Sequence, residues 1–180
     1  MASSHDFQAR KQALETYLSS LQANQGILAL PPGSLPRNVF DRVLLDGPCS
    51  SLGLRPRFSH IDATNKSLDD MAQIQKRMLF NALHLVKTGG VIVYSTCTFN
   101  PGENEQVIQW VLTRYPTVVR LVPAEPRLAG GEGLATILGE ENACKVQRFD
   151  PSDLTVDSIG FFIAKLEKIG DVDEHMVFAY

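Results

Sequence analysis

The chain has 180 residues, 44% of them hydrophobic and 21% charged, which suits one domain with its own core and excludes a disordered or fibrous protein. A formal net charge of −3 gives no basic stripe of the kind that grips nucleic acid by charge alone. Three cysteines, no apolar leader between Met1 and Lys11, and no run long enough to span a bilayer point to a soluble intracellular protein with reduced thiols, the cytoplasm favoured over the nucleus.

Phe7, Leu14, Tyr17, Leu18 and Leu21 recur at helical spacing, so residues 6–23 read as an amphipathic helix. A short strand at 27–30 and a Pro-rich loop at 31–36 follow. Residues 39–45 form a near-continuous apolar run, the pattern of a buried strand in a parallel sheet. A long loop then carries Cys49, Arg55, Arg57 and Phe58. Ser67 with Asp70 marks a helix start, and Leu68, Met71, Ile74, Met78, Ala82 and Leu85 give that helix an inner face that ends at Gly89-Gly90. Residues 91–95 read as a second buried strand. Asn100, Pro101 and Glu103 predict the capped start of a further helix, amphipathic through Val107, Ile108, Val111 and Leu112. Strands are predicted at 117–122 and 160–166 with a long polar loop between them, and the acidic end from Asp171 is expected to fray.

Two cysteines stand just past the predicted strand ends, in Asp46-Gly47-Pro48-Cys49-Ser50 and Ser95-Thr96-Cys97-Thr98. That is where open α/β sheets bind ligands. With Asn100-Pro101-Gly102-Glu103-Asn104-Glu105, Gln147-Arg148-Phe149-Asp150-Pro151 and Gly160-Phe161-Phe162-Ile163-Ala164-Lys165, these segments resemble the RNA cytosine-5 methyltransferase family of the Sun and RsmB type. The likeness covers nearly all of residues 37–166 and looks closest to the branch that methylates tRNA, where Gly130-Gly131-Glu132-Gly133 has a counterpart.

The resemblance implies an α/β, Rossmann-like methyltransferase fold, S-adenosylmethionine as methyl donor, and RNA, tRNA foremost, as partner. Carbon 5 of cytosine is a poor nucleophile until a thiolate adds to carbon 6, so the reaction needs a cysteine, a partner for the ring's N3 and a base. By resemblance Cys97 is the nucleophile, Cys49 assists release of the product, and Asp46 contacts the target base and borders the cofactor. The family's glycine-rich loop, acidic residue and general-base lysine find no match in residues 1–36. The expected division is therefore an N-terminal helix and Pro-rich loop over 1–36, the C-terminal part of a catalytic domain over 37–168, and an acidic tail over 169–180. Without the first strands, the 39–45 strand would leave an open apolar edge, and the chain alone is expected to be inactive.

Blander readings stand beside these. A free cysteine behind a strand is more often packing than chemistry, and Cys144, with no motif around it, keeps that reading. The polar strand-end settings, with Asp46 close to Cys49, favour function for Cys49 and Cys97. No C-x-x-C pair or neighbouring histidine completes a zinc site, so no metal is expected. His60, His84 and His175 receive no function, helix capping suffices for Glu103, and Phe58 is read as core before base stacking. A DNA cytosine-5 enzyme would put its Glu-Asn motif on a strand, whereas here it opens a helix. A non-catalytic product or partner-binding remnant is the reading from another class.

Overall fold

The computed structural model describes residues 37–55, 64–172 and Phe178. The helix, strand and loop predicted over 1–36, together with Arg57, Phe58, His60 and His175, lie outside the described residues.

Strand β1, Phe40–Asp46, is followed by helix α1, Asn65–Leu85, and strand β2, Val86–Thr96. A 3-10 turn at Pro101–Glu103 leads into α2, Glu105–Arg114, and then β3, Val119–Val122. Two short helices, α3 at Ala135–Leu138 and α4 at Glu140–Ala143, precede β4, Gln147–Phe149, and β5, Phe161–Lys168. The sheet runs in the order β1-β2-β5-β3, and β4 pairs with the other end of the edge of β5 that β3 occupies. β1 and β2 are parallel and joined by α1, while β5 is antiparallel to both β2 and β3.

Alternation along β5 sets the core: Phe162, Ala164, Leu166 and Lys168 are buried, and their neighbours are half-buried. Ile92 and Tyr94 of β2 extend the same face, onto which Leu79 and Leu83 of α1 and Val107, Ile108 and Val111 of α2 pack. Removing any of these large aliphatic side chains from water is worth about 1.5–3 kcal/mol. Among the described residues β1 is not the buried strand expected: only Leu45 is buried and Leu44 is 73% exposed. β2 is its only strand neighbour among the described residues, so one edge of β1 meets no ladder there.

Three local readings change. The cap of α1 is Thr64, whose side chain accepts from the Ser67 N–H at 3.1 Å. Its buried face is Ala72, Gln75, Leu79, Phe80, Ala82 and Leu83, while Ile74 is exposed. The helix ends at Leu85, before the glycines; Gly89, at φ 82, lies inside β2. The predicted fraying does not hold at Val172, which is buried, or at Phe178, whose ring lies 5.7 Å from Trp110 and 6.0 Å from Phe80. Among the described residues no helix is long and apolar enough to cross a membrane.

Candidate active site

In the parallel β1–β2 pair Asp46 lies opposite Ser95, so both strands end flush and their following turns leave from the same sheet edge. That register brings Cys49 and Cys97 together from positions 48 residues apart, with their Sγ atoms 3.2 Å from one another. Both are free thiols and half-buried. Ser51, held in the left-handed region at φ 57, brings its Oγ to 3.6 Å from the Cys97 sulfur and 4.0 Å from that of Cys49. Burial, reinforced by the hydrogen bond with Cys97, pushes the Cys49 thiol up to about 11. Cys49 therefore stays protonated near neutral pH and can donate its S–H toward the Cys97 sulfur. A proton-bearing thiol against a second thiol is an arrangement able to serve nucleophilic addition and the proton traffic that follows.

Asp46 ends β1 on the same edge, exposed, and its Oδ1 accepts from the Ser95 hydroxyl at 2.9 Å. Of the basic residues, Arg55 is tied to Asp157 at 3.1 Å and to the Ser158 carbonyl. Lys168 is buried at the opposite end of the sheet, donating to Asn38 Oδ1 at 2.6 Å and to the Val86 carbonyl at 3.1 Å. Both partners give it a structural role.

Sequence reasoning missed the residues that hold the turns. Glu103, Asn104 and Glu105 are each 0% exposed, three polar side chains in succession beneath the cysteine edge. Glu103 accepts from the Ser50 N–H at 2.8 Å, the Ser50 hydroxyl at 2.5 Å, Gln75 Nε2 at 2.9 Å and Asn100 Nδ2 at 3.1 Å. The last contact is local but comes from the Asn100 side chain, whose backbone N–H goes to Thr98 instead; the others reach across the fold. Gln75 also donates to the Pro48 carbonyl at 3.0 Å, and the Ser50 and Thr98 hydroxyls lie 2.9 Å apart. Asn104 accepts from the Thr96 hydroxyl at 2.5 Å and donates to the Thr98 carbonyl at 2.9 Å. Glu105 takes both oxygens to Arg148, at 3.0 and 3.1 Å, and accepts from the Leu134 N–H at 3.3 Å. The signal was on the page: charged residues at the head of an amphipathic helix, directly after a cysteine turn.

A second tie runs through Gly53, whose N–H donates to the Cys97 carbonyl at 3.0 Å and whose carbonyl accepts from Gly160 at 2.8 Å. The two glycine backbones approach so closely that a Cβ on Gly53 would come within 2.1 Å of the Gly160 oxygen. Cys144 is exposed and donates to the Glu141 carbonyl at 3.2 Å, so it does not pack as read. His84 meets Phe80 edge-on at 4.7 Å, and burial lowers its pKa. Among the described residues no group of three His, Cys, Asp or Glu side chains converges as metal ligands would.

The cofactor expectation falls on Asp46 alone, which stands exposed at the end of β1. The Gly130–Gly133 segment makes no cradle: Gly131 pairs with Arg148, and a Cβ at Gly133 would strike Val146 at 2.5 Å.

The family described as 16S rRNA methyltransferase RsmB/F matches residues 8–167. The chain is 46% identical over 154 residues to an rRNA (cytosine-C(5))-methyltransferase, NOP2C, of Arabidopsis thaliana, covering 78% of this chain and 25% of that protein. It is 38% identical over 171 residues to the tRNA (cytosine(72)-C(5))-methyltransferase NSUN6 of Mus musculus, covering 82% and 35%. The solved structure of NSun6 from Pyrococcus horikoshii with SFG shares 34% identity at a TM-score of 0.60, over 71% of this chain and 30% of that one. The chain thus spans about a quarter to a third of the length of these relatives.

Proposed function

The chain belongs to the RsmB/F family of RNA cytosine-5 methyltransferases, and from that premise we propose that it carries the cysteine half of a methyl transfer to carbon 5 of cytosine in RNA. The observation that carries this reading is the 3.2 Å approach of Cys97 and Cys49 at the carboxyl ends of two parallel strands. On this reading residues 37–168 are the C-terminal part of a catalytic domain, with 1–36 and 169–180 flanking it.

Cys97 adds to carbon 6 of the base as a thiolate, giving a covalent adduct with electron density pushed to carbon 5. Asp46, exposed at the end of β1, faces the amino group and N3 of the base. Cys49 remains a neutral thiol until addition has occurred, because burial holds its proton. As a base outside the described residues takes the carbon 5 proton and the bond from carbon 6 to Cys97 breaks, Cys49 gives its proton to the departing Cys97 sulfur, which frees the methylated product. The donor implied by the family is S-adenosylmethionine, supported by the relative solved with the analogue SFG. Since the described residues offer the donor only Asp46, the assigned steps concern the base alone. We favour tRNA on the likeness to NSUN6, with rRNA as the other arm of the test. Two thiols that must stay reduced support an intracellular site of action, and we place it in the cytoplasm.

The test is covalent trapping on RNA containing 5-azacytosine, in a catalytic domain completed with the glycine-rich loop. Cys97→Ala should abolish trapping and slow methylation by at least about a thousandfold. Cys49→Ala should instead accumulate an adduct that migrates slowly on a denaturing gel. Normal trapping by Cys97→Ala would overturn the assignment, and normal turnover by Cys49→Ala would leave Cys49 structural. The chain alone should bind S-adenosylmethionine too weakly for calorimetry and should self-associate through the β1 edge that meets no strand among the described residues; tight binding by a monomer would make the chain a complete cofactor site.

A further inference from the structure

The two cysteine turns rest on two consecutive buried residues, and each residue serves one turn. Glu103 receives the backbone and hydroxyl of Ser50, the residue after Cys49. Through Gln75 it also braces the Pro48 carbonyl, the residue before Cys49. Asn104 receives the hydroxyl of Thr96 and donates to the carbonyl of Thr98, the residues on either side of Cys97. The two halves meet through the Ser50–Thr98 hydroxyl contact at 2.9 Å. We infer that Glu103 and Asn104 are positioning residues that form a bracket with separable arms, Glu103 setting Cys49 and Asn104 setting Cys97, so that the two sulfurs face one another.

The chemistry of the arms supports this assignment. Each Glu103 oxygen accepts two hydrogen bonds, and no Lys or Arg forms a salt bridge with it among the described residues. Four neutral donors hold this buried group, three of them bearing on the Cys49 side through Ser50 and Gln75. An amide in its place would point an N–H at one of those donor pairs whichever way it turned. Asn104 needs both an acceptor and a donor, because Thr96 gives a proton and the Thr98 carbonyl takes one. A carboxylate there would keep the first contact and set a negative oxygen against the carbonyl. Neither residue reaches the substrate edge itself, since both are 0% exposed. Tyr94, held protonated by burial, donates to the Glu103 carbonyl at 2.5 Å and fixes the bracket to β2.

The geometry stands on its own, but its meaning for methyl transfer rests on the reading under Proposed function. The test is site-resolved alkylation of the chain by iodoacetamide near neutral pH, read by peptide mass spectrometry with exposed Cys144 as internal reference. Glu103→Gln should raise the reactivity of Cys49 relative to Cys97 at least about threefold, because its turn gains access and solvent. Asn104→Asp should move the same ratio the other way. Ser50→Ala and Thr96→Val cut the same two arms from the turn side while leaving the buried carboxylate and amide in place. They should reproduce the opposed shifts, and they decide the matter if a bracket variant does not fold. A ratio that stays put, or that moves the same way for both arms, overturns the bracket. In the completed domain, Glu103→Gln should accumulate adduct as Cys49→Ala does, whereas Asn104→Asp should lose trapping as Cys97→Ala does. If trapping fails for the unaltered protein while the alkylation ratios behave as stated, the methyltransferase reading falls and the bracket remains.

Discussion

The turn that carries Cys97 and the turn that carries Cys49 meet at one edge but are held by different kinds of contact. Cys97 sits inside a local unit, its neighbours Thr96 and Thr98 bound by Asn104 from eight and six residues away. Cys49 has no such help nearby: its neighbours are tied to Glu103 at a separation of 53 residues and to Gln75 at 27. Closing a long loop costs more chain entropy than closing a short one, so the Cys49 turn depends on the prior packing of α1 against the 3-10 turn. The nucleophile candidate is thus built into a short segment, and its release partner is brought to it by the tertiary fold.

Arg148→Met should blunt that contrast, because it loosens the Cys97 side, where Arg148 donates to the Phe99 carbonyl. It leaves Glu105 buried without its cation, a loss of about 3–5 kcal/mol in unfolding free energy by denaturant titration. Amide exchange should then quicken around Thr98 and Phe99, bringing the Cys97 turn closer to the Cys49 turn in protection. Gly53→Ala should widen the contrast instead, since a Cβ there meets the Gly160 backbone and prises away the segment that follows Cys49. A cost of about 1–3 kcal/mol is expected, with exchange rising around Cys49 while α2 stays protected. A uniform rise in exchange would show the turns to be one cooperative unit.

The smallest effect concerns protons. Cys49 is raised to about 11, so its alkylation should climb steeply only as pH approaches that value. The sign for stability follows. The folded state holds this proton to higher pH than the unfolded chain does, so the contribution is complete below the unfolded thiol pKa and is lost as pH rises toward about 11. A Cys49 alkylation rate that levels off well below that pH would contradict the effect of its burial.

Much of this was legible in residues. Apolar runs marked β1, α1, β2, α2 and β5, because half-buried elements advertise their faces. The strand-end cysteines announced the edge. What escaped was polar. Hydropathy put Ile74 on the inner face of α1, yet Gln75 is buried there, since the Pro48 carbonyl and Glu103 need its donor. Glu103 at the third helical position looks the same whether it caps its own turn or reaches across to Ser50. Ser67 read as a cap because Asp70 follows it, but Thr64 takes that place. β4, only three residues long, carries no period to read.

The meeting of Cys49 and Cys97 has a consequence for handling and for stress. Sulfurs 3.2 Å apart need close only part of the way to the ~2.05 Å of a disulfide. A two-electron oxidant such as hydrogen peroxide can take both thiols to one S–S bond, its oxygens leaving as two waters. One such event would block both of the roles proposed for these cysteines at once, and a thiol reductant would restore both. Peroxide should therefore convert both thiols of the unaltered chain to a reductant-sensitive form, read by thiol counting before and after the reductant. In Cys49→Ala the same treatment has no second thiol to close upon, and Cys97 should climb to the sulfinic state, beyond the reach of the reductant.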